Sequence, residues 1–412
     1  MTTTRHRLSH RLSHRTAAIA ACLATACLTP PAAADDTRPG AVEPKAGDHG
    51  LAANGDTWPI FRGNSSMTGL APFELPPPLQ LAWIHEAQTG PRTEVTAPPV
   101  IAGGRVFVGD TDGVFRAIDL ETGELAWSHQ AEDKFEGAAV IANEGKTVIA
   151  GCGDRFIYAW NTADGELLWK TETDGEVLAG ANLWRDPDNG EERVLIGGYD
   201  HFLYCLDAAD GEVLWRVESN NYINGATAVS EDKAFFGGCD GIMYVIDIRT
   251  GELDKEVEIG AYVANSVVID SGVIYLAHYG NRVEARLMED GVQMWQYGPR
   301  EFPFFSSPAL TADSVVVGGR DNRLHRAKRT DGEQVWEFRA RRSIDSSPVV
   351  TADGTVYVGS DDGYLYAVDY QTGEETWSFE IGNDIKSSPA VVNGWLVIGA
   401  GDGGVYGFRT GE

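Results

Sequence analysis

The chain has 412 residues and carries 33 Lys and Arg against 61 Asp and Glu, which gives a formal net charge of −28. Such an acidic surface repels phosphate backbones and anionic lipids, which argues against binding to nucleic acid. The length suits either two ordinary domains or one large all-β assembly.

Residues 1–34 have the pattern of a secretory signal peptide. Their apolar run, Thr16–Leu28, is shorter than the roughly 20 residues of a spanning helix, and Ala32–Ala34 supplies small residues for cleavage. The basic residues before this run are Arg5, Arg7, Arg11 and Arg15. We therefore expect a periplasmic or secreted protein that is not an integral membrane protein. A lipid anchor at Cys22 or Cys27, as in an outer-membrane lipoprotein, is the alternative.

Three segments are expected after the signal. Residues 35–56 are predicted to be a flexible linker, residues 57–78 a lead-in segment, and residues 79–412 the folded repeat domain. Cys152, Cys205 and Cys239 are widely separated and odd in number, which favours buried thiols over a disulfide framework.

A period of roughly 40 residues dominates the remaining sequence. It is marked by a Gly in "TGE" or "DGE", at Gly123, Gly165, Gly211, Gly251, Gly291, Gly332, Gly373 and Gly411. A Trp follows this Gly at Trp127, Trp169, Trp215, Trp295, Trp336 and Trp377. In the fourth copy Lys255 stands at that place. The Gly is expected to adopt a positive φ in a turn, and the Trp to pack between neighbouring sheets.

Each repeat predicts four short strands, as in "SSPVV", "TVYVG", "YLYAVD" and "EETW", with a hairpin signal such as "SDDG" before the third. One four-stranded sheet cannot bury both of its faces alone. We therefore predict an all-β fold, an eight-bladed β-propeller of four-stranded antiparallel blades. The alternative, a superhelical solenoid, would need polar caps at both ends.

The last repeat stops at "RTGE", before its expected Trp. The segment "LQLAW", Leu79–Trp83, resembles the missing strand. We predict that the strand bearing Trp83 completes the last blade and closes the ring, which removes the exposed sheet edges.

The repeat "SSPVV…TVYVGSDDGYLYAVDYQTGEETW" resembles the PQQ-like β-propeller family, and so does the lead-in "WPIFRGNSSMTGL" at Trp58–Leu70. The resemblance implies one of two functions. Quinoprotein dehydrogenases of this family hold pyrroloquinoline quinone and Ca²⁺ above the pore. BamB-type members are non-enzymatic periplasmic scaffolds for outer-membrane protein assembly, and this chain is most similar to them.

The residue before the two small residues of each innermost strand is expected to line the mouth of the central channel. These positions are Thr96, Glu136, Ala179, Asn224, Ala264, Phe305, Asp345 and Lys386. Their mixture of charge, amide and aromatic groups suits contact with a ligand or partner. The alternative is a passive, solvated rim.

The resemblance to quinoproteins implies that Glu136 and Asn224 would be the Ca²⁺ ligands. The next blade should then supply an Asp as general base, but Ala264 stands there. The adjacent-Cys disulfide of those enzymes also has no counterpart in this sequence. We therefore expect no enzymatic activity, metal or cofactor, with a site for pyrroloquinoline quinone and Ca²⁺ as the alternative.

Two loops suggest a surface for a protein partner in the cell envelope, bound by a monomeric propeller. The first, "GPREFPFF", places Arg300 beside Phe302, Phe304 and Phe305, and such mixtures are typical of interface anchors. The second, "RARR", contributes Arg341 and Arg342. A solvated loop is the alternative for this basic cluster.

Overall fold

Short antiparallel sheets follow one another along the chain, each built from hairpin-linked strands. They are seen in a computed structural model that describes residues 52–87, Gly90 and residues 92–411. The predicted signal peptide lies outside these residues. Strands within the described ranges form eight sheets, here called blades 1 to 8, which confirms the predicted eight-bladed propeller.

The strands of blades 1 to 4 have the following bounds. Blade 1 contains β3 (Val100–Ala102), β4 (Arg105–Gly109), β5 (Val114–Asp119) and β6 (Leu125–Gln130). Blade 2 contains β7 (Val140–Ala142), β8 (Thr147–Gly151), β9 (Phe156–Asn161) and β10 (Leu167–Glu172). Blade 3 contains β11 (Asn182–Arg185), β12 (Glu192–Gly197), β13 (Phe202–Asp207) and β14 (Val213–Glu218). Blade 4 contains β15 (Ala228–Ser230), β16 (Lys233–Gly237), β17 (Ile242–Asp247) and β18 (Leu253–Glu258).

Blades 5 to 8 repeat the pattern, and blade 8 includes a strand from the start of the described chain. Blade 5 contains β19 (Val268–Asp270), β20 (Val273–His278), β21 (Arg282–Leu287) and β22 (Gln293–Tyr297). Blade 6 contains β23 (Ala309–Leu310), β24 (Ser314–Gly319), β25 (Arg323–Lys328) and β26 (Gln334–Arg339). Blade 7 contains β27 (Val349–Thr351), β28 (Thr355–Gly359), β29 (Tyr364–Asp369) and β30 (Glu375–Glu380). Blade 8 contains β31 (Ala390–Val392), β32 (Trp395–Gly399), β33 (Gly404–Thr410) and β2 (Leu79–Glu86).

The predicted closure is confirmed by the pairing of β2 with β33. These strands are antiparallel, with Leu79 opposite Thr410 and Glu86 opposite Gly404. In each blade the first strand is innermost, and inner strands of successive blades contact one another, including β31 of blade 8 with β3 of blade 1. The ring therefore has no unpaired gap between its first and last blades.

The repeated Trp side chains lie between blades. Trp83 donates its indole N–H to the Leu120 carbonyl of blade 1 at 2.8 Å, and five further indoles make the same bond to the next blade. Lys255, which replaces Trp in blade 4, donates to the Met288 carbonyl of blade 5 at 3.4 Å. Each of these six indoles packs on the turn Gly of the next blade, such as Gly123 with φ of 73° beneath Trp83. Trp377 instead lies against Phe379 of its own blade and Phe408 of blade 8. Because these contacts recur in almost every copy, the Trp residues belong to the frame and not to a functional site.

Paired serines join the inner strands of blades 5 to 8. Ser266, Ser307 and Ser347 each donate a backbone N–H to the hydroxyl of the equivalent Ser in the next blade, ending at Ser388, at 2.9 to 3.1 Å. All of these residues are buried. The "SSP" sequences therefore serve the contact between blades.

The lead-in forms a segment across one end of the channel. It contains a 3₁₀ turn at Phe61–Gly63 and β1 (Leu70–Ala71), which pairs in parallel with β27. Residues 55–69 exchange backbone or side-chain hydrogen bonds with every blade. The blade residues are Ile101, Ile141, Leu183, Val229, Ile269, Leu310, Val350 and Asn393. Residues 52–56, predicted as linker, are themselves bonded to the lead-in through Ala53 and Gly63.

Arg62 anchors the lead-in. Its guanidinium is buried and donates to the carbonyls of Pro308 at 2.9 Å and Pro348 at 2.6 Å. Burial lowers the pKa of Arg62 to about 9, so the group is still cationic at neutral pH. Among the described residues, no helical segment has the length and hydropathy of a membrane span.

Candidate functional site

The candidate site is the end of the channel opposite the lead-in, here called the mouth. Each blade contributes a mouth loop, which leads from the preceding outer strand into the inner strand, and a mouth turn between its second and third strands. The turn N–H bonds to the loop carbonyl, as from Tyr199 to Glu176 at 2.7 Å and from Tyr279 to Tyr262 at 3.0 Å. This backbone hydrogen bond recurs in every blade, so the blades differ at the mouth in their side chains and in the longer loops that lead into blades 1 and 6.

The predicted ring of mouth residues needs one correction, in blade 3. There Val177 donates its N–H to Cys152 of blade 2, just as Phe135 of blade 2 donates to Asp110 of blade 1. The equivalent of Glu136 is therefore Leu178, which is 8% exposed, and not the fully buried Ala179. The sequence pattern is ambiguous here because three small residues, Ala179, Gly180 and Ala181, follow Leu178, so that Leu178 and Ala179 both precede two small residues.

Phe304 must also be removed from the predicted partner surface. It is 3% exposed, its N–H bonds to the His278 carbonyl of blade 5, and its ring lies against His325 with the centroids 5.5 Å apart. This is the same interblade position that Phe135 and Val177 occupy. Phe304 is therefore a frame residue, whereas its neighbour Phe302 is 50% exposed.

Exposed aromatic side chains cover the mouth across blades 3 to 6, and we call this set the aromatic arc. Three lie on successive mouth loops and are about half exposed: Tyr222 at 45%, Tyr262 at 57% and Phe302 at 50%. Two lie on mouth turns, Tyr199 and Tyr279. Tyr222 stacks on Tyr199 with ring centroids 4.7 Å apart. The sequence places Tyr222 in the "SNNYIN" loop, but it carries no signal that brings Tyr222 to Tyr199.

A charged sector follows the arc at blades 6 to 8. Arg320 forms a two-point pair with Asp345, with Nε–Oδ1 at 2.9 Å and Nη2–Oδ2 at 2.7 Å, and its guanidinium lies 4.7 Å from the Phe305 ring centroid. These hydrogen bonds raise the pKa of Arg320. Lys386 pairs with Asp384 at 2.7 Å and with Glu94 at 3.6 Å. Three predicted ring residues therefore lie in this sector, in two ion-paired groups: Phe305 and Asp345 around Arg320, and Lys386 with Asp384 and Glu94.

Asp361 lies in the mouth turn of blade 7, within this sector. One of its carboxylate oxygens is buried and has no hydrogen-bond partner among the described residues. Burial and the charges of Asp345 and Asp384 raise the pKa of Asp361 to about 6. The buried hydroxyl of Thr96 in blade 1 likewise has no partner in the described part of the chain.

The predicted arginines differ in their availability. Arg300 is engaged within the protein, because it forms a two-point pair with Glu337 at 2.8 and 2.9 Å and also contacts Asp321 at 3.2 Å. Arg341 is exposed and lies over the Tyr364 ring at 4.8 Å. Arg342 is exposed and makes no ion pair within the described ranges. Of the three, Arg342 is the one open to a partner.

The side chains that would ligate Ca²⁺ in a quinoprotein are already used. Asn224 accepts a hydrogen bond from the Tyr199 hydroxyl through Oδ1 and donates to Cys239 Sγ at 2.9 Å. Glu136 is paired with Lys134 at 3.1 Å. Leu178 stands between them in the ring, and Ala264 occupies the place of the base. This set of side chains does not fit Ca²⁺ and the quinone.

The sequence profile of the family described as outer membrane protein assembly factor BamB matches residues 83–156, 135–338 and 320–412. The chain belongs to this family. Among individual relatives, BamB of Salmonella typhimurium is 30% identical over 89 residues, which are 20% of this chain and 23% of that protein. Quinoprotein alcohol dehydrogenase PedE of Pseudomonas putida is 34% identical over 85 residues, 21% of this chain and 13% of that protein. The matched regions thus span less than a quarter of either relative.

Solved structures agree on the fold. BamB from Moraxella catarrhalis superposes with a TM-score of 0.68 at 18% identity, covering 81% of this chain and all of that one. A europium-containing methanol dehydrogenase superposes with a TM-score of 0.72 at 13% identity, covering 87% and 98%. A BamB protein and a dehydrogenase thus share the propeller fold with this chain, so the fold alone does not distinguish their functions.

Proposed function

We propose that this member of the BamB family is an exported, non-enzymatic scaffold that binds a protein partner of the cell envelope through its mouth. The observation that carries the proposal is the aromatic arc, with Tyr222, Tyr262 and Phe302 about half exposed on neighbouring loops. Exposed aromatic residues that cluster on a rigid frame are typical of protein interfaces. The family's described role in outer membrane protein assembly makes an envelope protein the favoured partner.

The arrangement of the mouth favours a scaffold over an enzyme. Asn224 and Glu136 are engaged by Tyr199, Cys239 and Lys134, and Ala264 provides no base. The lead-in occupies the far end of the channel, so among the described residues the mouth is the end left open to a partner.

Capture of partners from an envelope extract, after mild cross-linking, tests the proposal. We expect Phe302→Ser and Tyr262→Ser each to reduce recovery of the captured protein. The matched control is Leu125→Ser on the outer strand of blade 1, which is also about half exposed but lies away from the mouth. Equal recovery with all three variants would show that the mouth is not the binding surface.

The similarity with quinoprotein dehydrogenases suggests a competing hypothesis, that the protein is an enzyme. Calorimetric titration with pyrroloquinoline quinone and Ca²⁺ tests it. We expect no saturable heat. Tight binding that Glu136→Ala abolishes would overturn the scaffold proposal.

A further inference from the structure

We propose that the protein partner presents an arginine to the mouth, with its guanidinium stacked on Tyr222 and paired with Glu176. This inference rests on the proposed function and specifies the chemistry of the partner. It follows from a comparison of two equivalent places at the mouth, one of which already holds an arginine of the protein itself.

The filled place spans blades 5 to 7. Tyr279 occupies the mouth turn of blade 5, and Phe305 the ring position of blade 6, with their rings edge to face at 6.2 Å. Arg320, from the mouth turn of blade 6, lies 4.7 Å from the Phe305 centroid and 5.8 Å from that of Tyr279. Asp345, at the ring position of blade 7, binds the guanidinium at two points. Two aromatic rings and a carboxylate together hold one planar cation.

The equivalent place two blades earlier lacks counterparts of both charged residues, the arginine and the aspartate. Tyr199 stands where Tyr279 does, and an aromatic ring is again supplied, here by Tyr222 stacked on it at 4.7 Å. Cys239 occupies the position of Arg320, and Ala264 that of Asp345. Cys239 Sγ is turned to Asn224, which donates to it at 2.9 Å. Within the described ranges no Lys or Arg lies over the Tyr199 or Tyr222 ring. The His201 ring packs edge to face against Tyr222 with centroids 5.2 Å apart, and Tyr222 is still 45% exposed.

Charge at this place selects a cationic occupant. Glu176, whose carbonyl accepts the Tyr199 N–H, is exposed and forms no ion pair with any described residue. Burial, and to a lesser extent nearby charges including those of Glu136 and Glu176, raise the pKa of Tyr199 to about 12, so the phenol stays neutral beside the Glu176 carboxylate. A guanidinium both stacks on aromatic rings and pairs with carboxylates through its planar fork, whereas an ammonium is a strongly hydrated point charge. The geometry therefore points to arginine and not to lysine.

Fluorescence anisotropy with the full chain tests this proposal. The probe is a labelled peptide, Gly-Ser-Arg-Gly-Ser-Arg-Gly-Ser, measured beside its lysine and citrulline versions at about 0.15 M salt, where the long-range attraction of the acidic protein is screened. We expect the arginine peptide to bind about two- to fivefold more tightly than the lysine peptide, and the citrulline peptide not to bind. Equal binding of the arginine and lysine peptides would overturn the proposal.

Substitutions locate the binding. Tyr222→Ala and Glu176→Gln should each weaken binding of the arginine peptide by at least about twofold. Tyr222→Phe keeps the aromatic ring and should retain binding. Cys239→Arg should also weaken binding of the arginine peptide, because the new guanidinium would occupy the proposed binding place as Arg320 does in blade 6. The control is Glu374→Gln, an exposed Glu beside the Gly373 turn at the opposite end of blade 7. If the Tyr222→Ala variant binds the arginine peptide as tightly as the unmodified protein does, the peptide does not bind at Tyr222 and the proposal is overturned.

The two proposals fail separately. If envelope-protein capture remains sensitive to Phe302→Ser while the peptide shows no preference for arginine, only the arginine inference is overturned. If capture is also insensitive to the mouth variants, the proposed function falls with it.

Discussion

Trp83 lies opposite Gly407 across the strand pair that closes the ring, and a Cβ atom at Gly407 would come within 2.2 Å of the indole. In blade 1 the corresponding residue opposite Trp127 is Ala117, which has a Cβ. At the closure the indole also lies near Trp395, with ring centroids 6.5 Å apart. The Trp83 indole therefore fits at this place because Gly407 has no side chain.

We expect Gly407→Ala to destabilise the protein by about 1–3 kcal/mol, because the added methyl overpacks the closing blade. Chemical denaturation followed by Trp fluorescence measures this loss. Gly55→Ala is the matched control, since its nearest neighbour would be the Asn393 Cβ at 3.8 Å. Equal stability of the two variants would contradict the tight fit at the closure.

The contact between the lead-in and the blades gives a second prediction. Gly69 has φ of 68°, and a Cβ there would meet the Arg62 guanidinium at 2.0 Å. Gly190 has φ of 79° with open space around it, so Gly190→Ala suffers the same backbone strain without the clash. We expect Gly69→Ala to lower the unfolding free energy by about 1–3 kcal/mol more than Gly190→Ala does.

Limited proteolysis checks where that loss occurs. If Arg62 holds the lead-in as the structure indicates, Gly69→Ala should expose residues 52–69 to cleavage before the blades are cut. Uniform cleavage across the chain would instead mean that the lead-in and the ring unfold together.

Much of the frame could be predicted from the sequence because it repeats. The Gly and Trp spacing gave the blade count, and the lone "LQLAW" segment gave the closing strand. Phe304 was misjudged for the converse reason. The interblade position holds Val, Ile or Phe, and the flanking Phe302 and Phe305 made it look like part of a surface cluster.

The lead-in and the aromatic arc could not be derived in the same way. The segment of residues 55–69 is not repeated in the sequence. A single copy gives no pattern from which its hydrogen-bond partners on the eight blades could be predicted. Tyr199 and Tyr222 are separated along the chain by two strands, β13 and β14. They come together because a mouth turn lies beside the loop of the next blade. Such contacts between blades depend on the closed ring.

The buried serines offer a third prediction. Ser307→Ala removes the hydroxyl that accepts the Ser266 N–H at 3.1 Å, leaving a buried donor unpaired between blades 5 and 6. We expect a cost of about 1–3 kcal/mol in thermal or chemical unfolding. Ser378→Ala, whose hydroxyl bonds only to the exposed Glu375, should change stability little. If Ser307→Ala leaves the free energy of unfolding unchanged, the hydrogen bonds between these serines do not stabilise the contact between blades.

The last prediction concerns Asp361 and pH. Its pKa is raised from 3.8 to about 6, first by burial and then by the charges of Asp345 and Asp384, against the opposing effects of Lys386 and Arg320. The folded state therefore binds more protons than the unfolded state between these values, so this residue's contribution to stability falls as pH rises from about 4 to about 6. Asp361→Asn removes the charge, and should stabilise the protein above pH 6 by about 1–2 kcal/mol once solvent screening is allowed for.

The neighbouring residue provides the matched control for that experiment. Asp362 accepts hydrogen bonds from the Arg341 N–H at 2.8 Å and from the Tyr366 hydroxyl at 2.9 Å. Asp362→Asn weakens these charge-assisted bonds and should destabilise the protein, the opposite sign to Asp361→Asn. Denaturant unfolding at intervals from pH 4 to pH 8 distinguishes the two. If Asp361→Asn follows the unmodified protein in parallel across this range, the carboxylate does not titrate there and the charged sector of the mouth is more open to water than its geometry indicates.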